Sequence, residues 1–266
     1  MDAERSPDLW SSGERYEAYV GRWSRMVAAE FLSWLAAPPG LAWLDVGCGT
    51  GALSGAVARS CAPGRLAGID PSAGFLALAR EQVPTAELHE GDAQALPFPD
   101  ASFDRAVSGL VLNFVPDPAR AVAEMARVLR PGGEAALYVW DYAGRMELMR
   151  RFWDAAAALD PAASALDEGR RSPICHPGRL RELLEEKGGL REVETRAIDV
   201  PTVFRDFDDY WSPFLGGQGP APAYCVRLDG KAREQLRERL RASLPAAPDG
   251  SIRLLARTWA VRGRKV

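Results

Sequence analysis

Leu41-Ala42-Trp43-Leu44-Asp45-Val46-Gly47-Cys48-Gly49-Thr50-Gly51-Ala52-Leu53 opens as a short apolar run with an acid near its end. It breaks into three glycines at alternate positions and continues in small residues suited to a closely packed helix. The pattern reads as strand, turn, helix. Without Cβ atoms at 47, 49 and 51 the turn can take positive φ, and a flat ligand can lie against its peptide planes. The helix that starts here points unpaired N–H groups and the positive end of its dipole at the same place, which favours a carboxylate or phosphate. A small, partly anionic ligand is the expected occupant.

Outward from this turn, strand and helix signals alternate. Residues 1 to 12 are expected to fray. From Glu14 to Leu35 apolar and aromatic residues, among them Tyr16, Tyr19, Trp23, Phe31 and Trp34, recur at helical spacing, and Pro38-Pro39-Gly40 ends the run. After the glycine turn a helix to Ser60 leads to a second strand, Arg65 to Ile69, with Asp70 at its carboxyl end. Further strands are predicted at Thr85 to His89, Phe103 to Ser108 and Glu134 to Trp140. Asp117 followed by Pro118 is a good helix start, and Pro131-Gly132-Gly133 a good stop. Such alternation predicts an α/β fold with a mostly parallel sheet covered on both faces and ligands bound outside the carboxyl ends of its strands. Gly47, Asp70, Gly91-Asp92, Ser108-Gly109 and Asp141 stand at those ends.

Composition narrows the partners. The net charge of -3 argues against a general electrostatic grip on nucleic acid. The charged N-terminus lacks an apolar signal core, and no run approaches the roughly 20 apolar residues that span a bilayer. A cytoplasmic protein without membrane or nucleic-acid partner, monomeric or homodimeric, is expected. Cys48, Cys61, Cys175 and Cys225 show no C-x-x-C spacing, so neither metal nor a disulfide framework is predicted.

Gly47, Gly49 and Ala52 satisfy the loose dinucleotide pattern G-x-G-x-x-G/A, and Asp70 suits a ribose in any nucleotide, so a nicotinamide cofactor stays open on this turn alone. The tighter string Asp45-Val46-Gly47-Cys48-Gly49-Thr50-Gly51 resembles motif I of the class I S-adenosylmethionine-dependent methyltransferases. Glu90-Gly91-Asp92-Ala93-Gln94-Ala95-Leu96-Pro97-Phe98-Pro99-Asp100-Ala101-Ser102-Phe103-Asp104 resembles their motif after strand three. Ala126-Arg127-Val128-Leu129-Arg130-Pro131-Gly132-Gly133 resembles their turn before strand five. With Gly68-Ile69-Asp70, four motifs fall in the family's order across residues 41 to 140. The resemblance implies the Rossmann-like class I methyltransferase fold, S-adenosylmethionine as cofactor, and a small-molecule substrate of the quinone-biosynthesis or natural-product kind. It also implies an N-terminal helical cap over 1–40 on a methyltransferase domain over 41–266, with a substrate-cover insertion at about 201–250 before the last strand.

Residue by residue, the resemblance implies that Gly47, Cys48, Gly49 and Gly51 line the cofactor through their backbone and that Asp45 orients its ammonium. Asp70 would accept from the ribose hydroxyls, Asp92 and the Ala93 N–H would read the adenine edge, and Ser108, Gly109 and Leu110 would pass the sulfonium. Each acid also has a plainer reading, Asp45 and Asp70 as helix caps and Asp92 as a turn acid. Aromatics that could wall a dry substrate pocket are Trp23, Trp140, Tyr142, Phe204, Tyr210 and Trp211, although 204, 207, 211 and 214 also fit a helix packed on its own core. Asp141, His176 and Asn113 are weak catalytic candidates with no motif behind them, and His176 also suits a capping role. A protein side-chain methyltransferase and a protein that binds S-adenosylmethionine without transferring methyl are the alternatives.

Overall fold

A computed structural model of the chain describes residues 21–217 and 219–266. The start of the expected N-terminal helix, with Tyr16 and Tyr19, lies outside them. The first described helix, α1 (Arg22–Leu35), buries Val27, Phe31 and Leu32 at the spacing the sequence shows. Then come β1 (Ala42–Val46), α2 (Ala52–Ser60), β2 (Arg65–Asp70), α3 (Ala73–Gln82), β3 (Glu87–Glu90), β4 (Phe103–Gly109), α4 (Pro118–Val128) and β5 (Leu129–Trp140). The second half holds α5 (Glu147–Leu159), α6 (Glu168–Arg171), α7 (Pro177–Glu186) and β6 (Arg191–Phe204). It ends with α8 (Phe207–Trp211), α9 (Pro220–Arg227), α10 (Gly230–Ser243) and β7 (Ile252–Arg264).

The seven strands lie in the order β3-β2-β1-β4-β5-β7-β6. β1 pairs in parallel with both β2 and β4, β2 with β3 and β4 with β5, while β7 runs antiparallel to β5. All five residues of β1 are buried, as a central parallel strand with both faces covered requires. Strand order turns around between β1 and β4, so the switch point falls where the glycine turn leaves the sheet.

Local chemistry sets the ends of these elements. Asp117 caps α4 through a bond from the Arg120 N–H at 3.0 Å, with Pro118 in the first turn. The Pro131-Gly132-Gly133 stop lies inside a continuous β5 rather than before it. Leu129 pairs with Phe103 and Glu134 with Arg105, so residues 130–133 bulge out opposite Asp104. Asp104 then holds two places at once, accepting from the Ala42 N–H that opens β1 at 2.8 Å and from Arg130 in the bulge at 2.9 and 3.0 Å.

The described residues fall into two compact units. One comprises Trp23–Asp141, Ser172–Val200 and Arg257–Val266. The other comprises Arg22, Tyr142–Arg171 and Pro201–Ala256, so the predicted insertion is joined by α5 and α6. This second unit is built on aromatic packing: Phe152 stacks on Phe214 at 4.4 Å, and Tyr210 lies 5.3 Å from Phe204 and 5.5 Å from Phe214. Arg22 reaches Asp209 at 3.2 Å with its guanidinium over the Phe204 ring. α9 has Pro220 in its first turn.

The segment between β3 and β4 carries Asp92, and Arg127 of α4 fastens it. Arg127 donates to the carbonyls of Leu96 and Phe98, to Asp100 and twice to Glu124, all between 2.7 and 3.0 Å. Glu124 in turn accepts the Leu96 N–H at 2.8 Å. Arg127→Ala is expected to lower stability by about 1 to 3 kcal/mol. Arg127→Lys, which keeps the charge but not the planar fan of donors, should restore less than half of that loss in urea unfolding.

Candidate functional site

The glycine turn leaves β1 under tight backbone control. The N–H groups of Gly47 and Cys48 both donate to the Ile69 carbonyl, at 2.7 and 3.0 Å, and Gly51 donates to Cys48 at 2.9 Å. Two glycines do different work. Gly47 sits at φ +74°, and a Cβ there would lie 2.5 Å from Val111, which leaves no room for a side chain. Gly49 sits at φ +53° and a Cβ would meet nothing within 4 Å, so the turn presents an open face of backbone at that point.

Asp70, at the carboxyl end of β2, is 7% exposed. One oxygen accepts the Gly49 N–H and the other the Ser72 N–H, each at 2.9 Å. Burial raises its pKa, opposed by the two N–H donors. The cap of α3 is Ser72, whose hydroxyl accepts the Phe75 N–H at 3.3 Å. Asp70 therefore acts one step earlier, holding the cap and the glycine turn together.

Asp45 is fully buried in β1. Its Oδ2 accepts from the Ser54 hydroxyl at 2.6 Å, while Oδ1 has no hydrogen-bond partner among the described residues. Burial pushes its pKa from an ordinary 3.8 up to about 7, the Ser54 bonds oppose this, and the charge of Asp70 adds to it. An orphaned carboxylate oxygen under the glycine turn is a site that a cation or N–H donor would satisfy.

Asp92 is exposed in the turn after β3 and Ala93 half-buried. Asp92 makes the turn bond expected of an acid there, from the Gln94 N–H at 2.8 Å, and also accepts from the Gln94 side chain. At the end of β4 the Ser108 hydroxyl donates to the Val46 carbonyl at 2.7 Å. Gly109 lies against Tyr138, whose hydroxyl is 2.5 Å from where a Cβ would stand. Leu110 follows at φ +64°, a strained backbone for a bulky residue. These cofactor-side residues all belong to the unit that begins at Trp23.

The other candidates are more dispersed. His176 caps α7, its Nδ1 accepting the Gly178 N–H at 3.2 Å. Asp141 is 7% exposed, and its charge together with burial pushes the Cys175 thiol up to about 12. Asn113 lies in a short 3-10 turn over Leu112–Phe114, and its Oδ1 is buried without a partner among the described residues. Trp23 and Trp140 are buried in the first unit, and Tyr142, Phe204, Tyr210 and Trp211 in the second. Tyr210 donates its hydroxyl to the Leu148 carbonyl at 3.0 Å. Among the described residues there is no cluster of His, Cys, Asp and Glu suited to a metal ion, and no helix long and apolar enough to cross a membrane.

A turn of this build at the switch point of this sheet defines the Rossmann-like class I methyltransferase fold, and the comparisons agree. Residues 44–137, from β1 into β5, match the family model described as "Methyltransferase domain". Over 99 residues, 35% of the chain, it is 44% identical to the demethylmenaquinone methyltransferase of Listeria welshimeri, covering 42% of that protein. Over 119 residues, 43% of the chain, it is 40% identical to the 2-phytyl-1,4-naphtoquinone methyltransferase of Thermosynechococcus vestitus, covering 51% of it. The chain thus spans about half or less of these relatives' length. Among solved structures, a phosphoethanolamine N-methyltransferase 2 of Haemonchus contortus in complex with S-adenosylhomocysteine superposes with a TM-score of 0.60 at 15% identity. That likeness covers 97% of this chain and 58% of that one. The [4+2]-cyclase SpnF superposes at 0.53 and 22% identity, over 98% and 84% of the two chains.

The buried Asp45 makes stability depend on pH with a definite sign. Between about pH 4 and 7 the folded chain keeps a proton on Asp45 that the unfolded chain has released, so stability falls as pH rises through that window. Glu168, also pushed up to about 7 by burial, acts in the same direction. Asp45→Asn removes only the first contribution. The variant is therefore expected to gain in melting temperature relative to wild type as pH is raised from 5 to 8, and a pH-independent difference would contradict the assignment.

Proposed function

We propose that the protein transfers the methyl group of S-adenosylmethionine to a small organic molecule. The observation that carries this reading is Asp70, a carboxylate held by two backbone N–H groups beside a glycine turn whose face at Gly49 is open. Each Asp70 oxygen keeps a further lone pair, so the pair suits the two hydroxyls of a ribose. The unpartnered Oδ1 of Asp45 suits the cofactor's ammonium, directly or through water. Gly47, Cys48, Gly49 and Gly51 serve through their backbone, Asp92 and the Ala93 N–H read the adenine edge, and Ser108 and Gly109 flank the reacting end.

The cofactor supplies an activated methyl on a positively charged sulfur. The chain's task is then to position a nucleophile and exclude water, and orientation alone is worth roughly 7 to 11 kcal/mol of barrier. Of the three polar candidates, Asn113 is favoured for orienting an acceptor. Its buried oxygen has no partner among the described residues, whereas the Nδ1 of His176 already serves a helix cap. The two quinone methyltransferases among the relatives support a small, ring-containing acceptor. In a second reading the cofactor is bound and no methyl leaves it; a cyclase shares the fold, and the fold alone does not fix the reaction. Release of S-adenosylhomocysteine across an acceptor panel separates the two.

Thermal unfolding with S-adenosylhomocysteine, S-adenosylmethionine or NADH tests the cofactor. At about 100 times its dissociation constant a ligand adds roughly 2.7 kcal/mol of stability, a shift of several degrees. The adenosyl ligands should give it and NADH should not; the reverse would sink the proposal. Gly49→Ala is expected to fold with a loss of about 1 to 2 kcal/mol, because a Cβ there meets no protein atom, yet to lose the ligand shift. Asp70→Ala should weaken S-adenosylhomocysteine binding by about 1 to 3 kcal/mol.

A further inference from the structure

Asp92 lies exposed on a turn after the shortest strand of the parallel set, a poor place from which to read a base edge unless something fixes its carboxylate. Gln94 does so. Its Nε2 donates to both Asp92 oxygens, at 3.0 and 2.9 Å, and its backbone N–H donates to Oδ1 at 2.8 Å. The other end of the same amide is also engaged, since Oε1 accepts the Asp117 N–H at 3.0 Å. The Gln94 carbonyl accepts from the Arg120 guanidinium at 2.8 Å. Asp117 and Arg120 belong to the capped first turn of α4, so the bridge runs from a rigid helix end to Asp92.

The orientation of this amide is dictated by its partners. A carboxylate only accepts, so the NH2 must face Asp92, and a backbone N–H only donates, so the oxygen must face Asp117. Neither Glu nor Ala can replace Gln here. Glu keeps the bond from the Asp117 N–H but turns an acceptor on Asp92 and sets two like charges together. Ala abolishes both bonds. The Gln94 donors also hold the Asp92 carboxyl below its ordinary range, which keeps it a pure acceptor.

We propose that Gln94 is a positioning residue for base recognition: bridged between Asp117 and Asp92, it fixes the Asp92 carboxylate as an acceptor for an exocyclic amino group and so sets selectivity for adenine over a 6-oxopurine. The inference rests on the assignment of Asp92 to the adenine edge made above. A 6-oxopurine offers an acceptor where adenine offers the amino donor, so a fixed carboxylate repels it while a loose one tolerates it.

The test is calorimetric binding of S-adenosylhomocysteine and S-inosylhomocysteine to the full chain, as wild type, Gln94→Glu and Gln94→Ala. Wild type should prefer the adenosyl ligand. Each variant should cut that preference about fivefold or more, the loss falling on the adenosyl ligand while S-inosylhomocysteine binding stays within about twofold, as expected for the loss of one or two oriented hydrogen bonds. A merely structural role would weaken both ligands alike, and that result overturns the proposal, as does a preference unchanged in both variants. The residue is on a surface turn, and Gln94→Ala reports should Gln94→Glu fold poorly. If wild type binds neither nucleoside, the cofactor reading is overturned and this inference with it. Binding with an unchanged preference overturns this inference alone.

Discussion

The carboxylate of Asp70 ties the N–H of Gly49 to the N–H of Ser72, and the rest of the site depends on that bridge. Three segments meet at it: the glycine turn after β1, the carboxyl end of β2 and the start of α3. The neighbouring carbonyl of Ile69 takes the N–H groups of Gly47 and Cys48, and the Asp70 carbonyl takes that of Gly91 at 3.1 Å. One short stretch of β2 therefore sets the turns that follow β1, β2 and β3. A parallel sheet places these turns side by side only because each strand ends at the same edge, so register is translated directly into the geometry of the site.

Three aspartates share the site, and their environments divide the work. Asp45 is buried with one oxygen unpartnered among the described residues, and carries a raised pKa. Asp70 is nearly as buried but better served by donors, so burial and hydrogen bonding pull against each other. Asp92 is exposed and held low by its Gln94 donors. Depth dominates the first, depth and donors oppose each other in the second, and donors dominate the third. Identical side chains thus acquire three electrostatic settings from depth and donors alone.

Much of the sheet was legible because its signals are local. The apolar run 41–46, the glycines at 47, 49 and 51, and Asp117 with Pro118 act within a few residues of where they stand, and the elements appear there. Residues 130–133 were harder: the same Pro-Gly-Gly that ends a helix also fits a bulge, and only the pairing of Leu129 with Phe103 and of Glu134 with Arg105 decides. The roles of Asp45 and Asp70 followed from resemblance, whereas the orphaned Oδ1 and the grip of Asp70 on Ser72 depend on burial and distance. Gln94 carries no motif of its own. Its partners Asp92 and Asp117 are linked only when β3 and the start of α4 come together, a tertiary fact with no periodic signature. The aromatic stretch at 204–214 was open to two readings because helical spacing is the same whether a face packs on its own unit or on a ligand.

The site argues for a division of chemistry between what is shared and what is not. The segment 44–137 contains the glycine turn and the three aspartates, and it is there that the family model matches. Those three aspartates accept from backbone N–H groups, from a serine hydroxyl and from a side-chain amide. A phosphoethanolamine methyltransferase and a cyclase share this fold with the chain at 15% and 22% identity, so the fold by itself fixes no reaction. Outside that segment, residues 142–171 and 201–256 belong to a unit of their own, packed around Phe152, Phe204, Tyr210 and Phe214. Because the rings of that unit pack on one another, a change in any of them acts first on its core.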